Sequence, residues 1–450
     1  MNNNSNQSDL GGDYTLTPVP QDKRKHWIDV SLVWMGMNIC PPTLLLGVWL
    51  MRYQSFGRAT ISLVIGLIVL AAFSIMQGII GNQSGLPTYP LSRQAFGEIG
   101  GRIFSFIMFL TLIGWFGVMT ESLVATFYSQ IFPSIGVNIS ISAKPIIAFF
   151  FGMGITAICF FGFNAITWLN RLTIPGLLSL TFFALFKVLN NSELINKVMS
   201  WQPPQNTISI QQAITWVVGS LIIAAVTAPD FNRYSRRSTD TVYSVLIGNV
   251  PIVLFLSIMG MIFAVLSGAA EGKSAIEAAD LSSVFATQAW NIGPVSGAFI
   301  AAFILIGAII TTNVVNLYPG GMALVTVLKG SGKYWKYFED RAILTIFVGI
   351  VGSLVASIGI LSKFEVFLEM LTNFAVPLIG IMSTDYFILR NKNRIKGFIN
   401  LSAIITWVVL SFASLLEIIP GGGISAVLYS GLLYYTLEKT FSEKLHIQSK

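Results

Sequence analysis

The sequence predicts an all-α polytopic membrane protein with twelve transmembrane helices, and three observations carry that prediction. Of 450 residues, 54% are hydrophobic and 10% charged, with 33 Phe and a mean hydropathy of +0.72, whereas an ordinary soluble domain carries about 25% charged residues. No soluble core could hide that much apolar surface. Apolar stretches long enough to span a bilayer, roughly 20 residues each, recur from end to end of the chain. Between them the twenty-seven Lys and Arg gather in alternate connecting loops, the pattern by which a polytopic membrane protein sets its orientation.

Residues 1–22 are polar and lack an apolar h-region, so they read as a disordered cytoplasmic tail rather than a cleaved signal. Residues 23–440 read as a single transmembrane domain, with a cytoplasmic tail over 441–450. The spans are expected at 28–51, 59–81, 100–131, 145–164, 166–189, 210–229, 241–267, 294–328, 342–361, 363–389, 397–416 and 422–438. Twelve crossings put both termini on one side. With the N-terminus inside, twenty basic residues lie inside, among them Lys23, Arg24, Lys25, Arg93, Arg171, Arg233, Arg236 and Arg237. Seven lie outside: Arg52, Arg58, Lys144, Lys187, Lys197, Lys273 and Lys363. That bias predicts a multi-pass protein of the cytoplasmic (inner) membrane with both termini cytoplasmic.

The formal charge of +7 does not point to nucleic acid, because the basic residues sit singly at helix ends instead of forming one patch. Their expected neighbours are membrane lipid headgroups. Cys40 and Cys159 both lie inside apolar segments and offer neither a disulfide framework nor a Cys-rich metal site. His26 and His446 fall outside the spans, so no clustered catalytic set supports an enzyme. A channel would want a continuous polar pore, which scarce lining charges disfavour.

Function is sought where a helix is interrupted, since a broken helix at membrane depth survives only if buried or lining a cavity. In the first span Gly36-Met37-Asn38-Ile39-Cys40-Pro41-Pro42-Thr43 carries two consecutive prolines. Each removes an amide donor and obstructs the preceding turn, so carbonyls around residues 36–39 lose partners; a mere kink is the alternative. In the sixth span Gly219-Ser220 is a second weak point. Paired breaks of this kind mark secondary transporters built from inverted repeats, with freed carbonyls holding a cation near the midplane. In the eighth span Thr311-Thr312-Asn313 offers two hydroxyls as hard ligands for a small cation, or hydroxyls that merely bond back to a carbonyl one turn earlier. Gly114-Trp115-Phe116-Gly117 sets an aromatic between two glycines, either as a stacking platform or as a packing Trp beside helix-contact glycines. Glu121, Glu365 and Glu369 are acidic residues placed within spans. Glu121 serves either as a proton carrier or as the partner of a loop cation.

At these residues the chain resembles the nucleobase cation symporter family, which contains the bacterial cytosine permeases and a hydantoin transporter. The resemblance covers about residues 20–440 and rests on Gly114-Trp115-Phe116-Gly117-Val118, Pro229-Asp230-Phe231-Asn232-Arg233-Tyr234, Thr311-Thr312-Asn313 with Leu317-Tyr318, and Asp385-Tyr386-Phe387. It implies a leucine-transporter-like core of two inverted five-helix repeats, about 28–189 and 210–389, plus two peripheral helices over about 397–438. It implies a symporter that imports a nucleobase or related small heterocycle by alternating access, coupled to sodium or to protons, with no cofactor and no obligate protein partner. A hydantoin, allantoin or a vitamin precursor is the alternative passenger. The sodium ligands implied are the carbonyls of Gly36 and Ile39 and the hydroxyls of Thr311 and Thr312. For the substrate, Trp115 stacks the ring and Ser220 and Cys40 touch its edge. Three positions depart from the cytosine permeases: the second sandwiching aromatic falls on Leu221, a polar residue on Leu112 and the base-reading Asn on Ala308. Those losses disfavour cytosine itself and suit a larger or more apolar ring, with Asn38, Ser220 and Thr227 as replacement polar contacts. Asp230 and Arg233 read as a charge pair or cap anchoring the following loop.

Overall fold

Lipid offers backbone groups no water, so a chain this apolar satisfies them within helices. The computed structural model describes residues 18–161, 163–204, 207–271, 294–328, 341–389 and 397–447. Helices α1 (Trp27–Asn38) and α2 (Pro41–Tyr53) form one span bent by 57° between them. They are followed by α3 (Phe56–Ser84) and α4 (Thr88–Thr126). Next come α5 (Lys144–Phe161), α6 (Phe163–Leu189) and the short α7 (Ser192–Met199). The second half opens with α8 (Ile210–Val226) and α9 (Ala228–Asn232), then α10 (Ser238–Gly248) and α11 (Val250–Ser267). Helices α12 (Pro294–Leu328), α13 (Arg341–Ser357), α14 (Phe364–Ser383), α15 (Leu401–Leu415) and α16 (Gly422–Leu445) complete the chain.

Every expected span coincides with a helix or a bent helix pair. Among the described residues six helices are long and apolar enough to cross a membrane, or up to eight if each bent pair is one span. Helix α4 is broken at Gly97 (φ 79°, ψ 178°), so a short segment from Thr88 precedes the long helix, which begins just beyond the break and close to the expected residue 100. A side chain there would also meet the backbone of the segment before α15, with Asn400 N 3.0 Å from a Cβ. Helix α7 is too short to register as a span, and Asn191 caps it by accepting from Glu193 N at 3.0 Å. The long loop expected at 268–293 lies, from residue 272 on, outside the described residues.

Gly219-Ser220 is not the break that the sequence suggested. Helix α8 runs through both residues, and Gly219 is a contact glycine: a Cβ there would meet the Leu368 carbonyl of α14. The span is interrupted at Thr227 instead, where the helical φ/ψ gives way (φ −90°, ψ 7°) one residue before α9 begins with Ala228-Pro229. A glycine keeps its amide and so keeps the ladder; a proline removes one.

The helices cross closely where small residues face each other. Gly47 of α2 abuts the Ser257 carbonyl of α11, and Gly260 of α11 abuts the Leu44 carbonyl of α2. In an apolar solvent such backbone approach replaces the hydrophobic effect as the source of packing. Helix α4 packs on α12, α3 on α8, and α14 on α8 and α16. The segment before α1 is tied to one end of this bundle: Arg24 Nη1 donates to Asn82 O at 2.8 Å, and Arg236 N to Lys25 O at 3.2 Å.

Candidate substrate and cation site

The α1–α2 break follows from its two prolines. Ile39 (φ −79°, ψ 73°) and Cys40 (φ −147°, ψ 157°) are non-helical, and Pro41 and Pro42 open α2 in the positions where a missing amide costs least. The amides that would close the turn on the Met37 and Asn38 carbonyls do not exist. Thr43 substitutes for one of them, donating through Oγ1 to Asn38 O at 2.8 Å, and its amide donates to Cys40 O at 3.2 Å. The Cys40 thiol lies 3.4 Å from Thr43 Oγ1.

A cavity of about 390 Å³ lies against this break. Gly36, Asn38, Ile39 and Cys40 line it from α1 and the break, Trp115 and Leu112 from α4, Ser220 and Leu221 from α8, and Thr311 and Thr312 from α12. The structure thus gathers on one cavity residues that lie almost 300 positions apart. Ala308 is the exception among the site residues named from sequence. It is buried and does not line this cavity; its carbonyl accepts from Thr311 Oγ1 at 3.0 Å and from Thr312 Oγ1 at 2.8 Å.

Those two bonds reconcile readings that the sequence left as alternatives. A hydroxyl that donates its proton to a carbonyl keeps its lone pairs, so back-bonding leaves both Thr oxygens able to face a cation. Gly36 and Ile39 line the same cavity, so the oxygens these four residues could offer a cation, two backbone carbonyls and two hydroxyls, are all neutral and hard. That chemistry fits a monovalent cation such as sodium and lacks the carboxylates a divalent site wants. Among the described residues no group of three or more His, Cys, Asp or Glu stands ready for a metal.

Trp115 meets the cavity with its flanking glycines turned away from it. A Cβ at Gly114 would strike the Phe367 ring of α14, and one at Gly117 would come within 2.8 Å of Val355 of α13. Both are therefore helix-contact glycines, and they let Phe367 and Phe364 brace the indole edge-on at centroid distances of 5.5 and 6.0 Å. The indole thus packs against both Phe rings and also lines the cavity.

From the break the cavity extends along α1, past Val33 and Leu32, to Tyr89, Asp230 and Phe231. It therefore reaches toward the end of the bundle that carries the N-terminal segment. At the opposite end aromatic and polar contacts close the bundle. Trp49 packs edge-on to Phe364 at 5.5 Å. Tyr53 OH donates to Glu365 Oε1 at 2.8 Å, and Trp216 Nε1 donates to Glu369 Oε1 at 3.0 Å.

Several residues took roles that the sequence left open or missed. Glu121 is buried away from the cavity, accepting from Lys144 Nζ at 2.8 Å and from Leu361 N at 2.8 Å, which is the loop-cation reading. Asp230 caps a helix other than its own, accepting from Thr88 N at 2.7 Å at the start of α4, and it also lines the cavity. Arg233 Nε donates to the Asp230 carbonyl at 3.2 Å. Tyr89, Ile174 and Asn316 also line the cavity, and none of the three was given a role from the sequence. Ile174 sits in an apolar run with no distinguishing signal; Asn316 was visible only as one turn beyond Thr312.

Comparison with known proteins agrees with this geometry. Residues 18–405 match the family described as permease for cytosine/purines, uracil, thiamine, allantoin. The cytosine permease of Escherichia coli (strain K12) is 28% identical over 442 residues, covering 96% of this chain and 95% of the relative. The structure is similar to that of Mhp1, a nucleobase-cation-symport-1 family transporter, in a closed conformation with bromovinylhydantoin bound. That likeness has a TM-score of 0.76 at 18% identity and covers 98% of both chains. A structure of a Na+-coupled sialic acid symporter shares the fold at a TM-score of 0.63 and 13% identity, over 95% of this chain and 92% of that one. The fold is therefore the leucine-transporter-like core of two inverted five-helix repeats with two peripheral helices, and the chain is a transporter, not an enzyme. It belongs to the family of permeases for cytosine and purines, uracil, thiamine and allantoin.

Proposed function

We propose that this permease is a secondary active symporter of the cytoplasmic membrane that imports a nucleobase-type heterocycle together with Na+ by alternating access, with both termini cytoplasmic. The observation that carries the reading is the α1–α2 break, which brings Gly36 and Ile39 to the same cavity as Thr311, Thr312 and Trp115. Sodium would be held by the carbonyls of Gly36 and Ile39 and the hydroxyls of Thr311 and Thr312. The ring would stack on Trp115, with Ser220, Asn38 and the backbone at Cys40 along its edge. Because both ligands draw on the same interrupted helix, each raises the occupancy of the other, which is the coupling a symporter needs.

The apolar lining at Leu112 and Leu221 favours a larger or less polar ring than cytosine, since a site gains selectivity for a polar ring from donors and acceptors that these positions lack. The test is uptake of radiolabelled uracil, hypoxanthine, hydantoin, allantoin and a thiamine precursor into proteoliposomes under an imposed sodium or proton gradient. Saturable uptake that rises with the sodium gradient is expected. Uptake that follows only the proton gradient would remove sodium from the mechanism, and flux without saturation would make the protein a channel.

A further inference from the structure

Two asparagines on the cavity wall each bond a second asparagine behind it, and for Asn38 the lock fixes which polar atom is left over. Asn38 Nδ2 donates to Trp34 O at 2.8 Å and to Asn249 Oδ1 at 3.1 Å. A main-chain carbonyl can only accept, so the Asn38 atom facing Trp34 is necessarily the nitrogen, and the assignment does not rest on the ambiguous amide alone. Both amide protons are then spent on protein, and Oδ1 is the polar atom of that side chain with no partner among the described residues.

The same logic runs on the far wall. Asn313 Nδ2 donates to Phe116 O at 3.2 Å and to Thr120 Oγ1 at 3.0 Å, which again obliges its nitrogen to face the carbonyl. Its Oδ1 is thereby turned to Asn316, whose Nδ2 donates to it at 3.2 Å. Asn316 lines the cavity and, with one amide proton spent on Asn313, keeps both Oδ1 and its second N–H. Neither Asn249 nor Asn313 lines the cavity.

The cavity hydroxyls point the same way. Ser220 Oγ donates to Val217 O at 2.8 Å and Thr227 Oγ1 to Ile223 O at 2.7 Å, so each presents lone pairs rather than a proton. The donors on the wall are the indole N–H of Trp115, the hydroxyl of Tyr89 and the second amide proton of Asn316, none with a partner among the described residues. A ring that offers only carbonyls and alkylated nitrogens leaves Asn38 Oδ1 without a donor.

We propose that Asn38 is a specificity-determining acceptor, fixed in that role by the positioning residue Asn249, and that the passenger is a heterocycle that brings an N–H donor to it. This rests on the cavity's being the passenger site, as argued above. N-methylation is the clean probe, because it deletes donors while leaving the ring and its acceptors in place.

The experiment measures binding to the purified full-length protein in sodium with matched pairs: uracil and 1,3-dimethyluracil, xanthine and caffeine, hydantoin and 1,3-dimethylhydantoin. The N–H member is expected to bind at least about tenfold more tightly, the scale of leaving a buried acceptor unpaired. Asn38→Ala should weaken the N–H member and leave its methylated partner unchanged. Asn249→Leu should narrow the ratio to within about threefold, whereas Asn249→Asp, which keeps an oxygen opposite Asn38 Nδ2, should hold it. A purely structural role for Asn249 would lower both members equally and leave the ratio intact, and that result would overturn the proposal, as would equal binding of both members to the unaltered protein. Should Asn249→Leu fail to fold, Asn38→Ala decides by the same ratio. If no member of any pair binds the unaltered protein, the nucleobase-type reading of the cavity fails first and this inference with it.

Discussion

Replacing Thr312 by Val removes one hydroxyl from the assigned cation site while keeping the shape of the side chain. In the structure that hydroxyl donates to Ala308 O at 2.8 Å, and Thr311 donates to the same carbonyl at 3.0 Å. The carbonyl therefore keeps a donor in the variant, and the loss to the fold itself is that of one neutral hydrogen bond, about 1 kcal/mol. The effect on sodium is separate and larger in kind. One hard oxygen of four is lost, and a contact between a polar group and a charge is worth about 1.5–3 kcal/mol, so sodium affinity should fall by at least about tenfold. Sodium stabilises the folded state by RT ln(1 + [Na+]/Kd), which is about 2.7 kcal/mol at a concentration one hundred times Kd and about 1.4 kcal/mol once Kd has risen tenfold. The assay is thermal unfolding of purified protein across a sodium titration with choline as the replacement cation. Thr312→Val should shift the half-saturating sodium concentration upward by about tenfold or more, and Thr312→Ser should restore it. An unchanged sodium response in Thr312→Val would refute the assignment of the ion site, whatever happens to the baseline melting temperature.

Three further outcomes are expected. Changing Pro41 and Pro42 together to Ala returns amide donors to the Met37 and Asn38 carbonyls; sodium-dependent stabilisation should disappear while helical circular dichroism is undiminished, and a retained sodium response would show that the break is not what binds the ion. Glu121→Gln leaves the partly buried Lys144 ammonium, now 2.8 Å from a carboxylate oxygen, without its counter-charge. Stability should drop on the order of 3 kcal/mol, with Lys144→Met recovering part of it in the double variant, as read from denaturation of both in parallel. The Cys40 thiol lines the cavity; sodium plus a bound heterocycle should slow its alkylation by a small maleimide, followed by site-resolved mass spectrometry, and labelling indifferent to both ligands would place them elsewhere.

The helices were legible because a bilayer imposes one rule on every span: roughly 20 apolar residues with their backbone bonds closed internally. The α1–α2 break was legible for the same reason, since Pro41-Pro42 subtracts two amides wherever the rest of the chain goes. The sixth-span break was misplaced. Gly219 and Ser220 look permissive in sequence, yet a glycine retains its amide, and Gly219 serves the close approach of α14 instead. Trp115, Thr311 and Thr312 were found through local pattern and family resemblance. Ala308 fell behind the wall because its position on α12 is a matter of helix rotation, which spacing alone does not settle.

The amino-acid sequence by itself therefore determined the membrane as solvent, the all-helical class, and the prolines that open one helix, because each is a property of a short stretch of chain. Tertiary structure alone decided which residues share the cavity, that Phe364 and Phe367 brace Trp115, that Asp230 caps α4, and that Asn249 and Asn313 orient the amides in front of them. Those outcomes join residues distant in the chain, and hydrogen-bond direction is fixed only once a carbonyl that can do nothing but accept is brought opposite an amide that can turn either way.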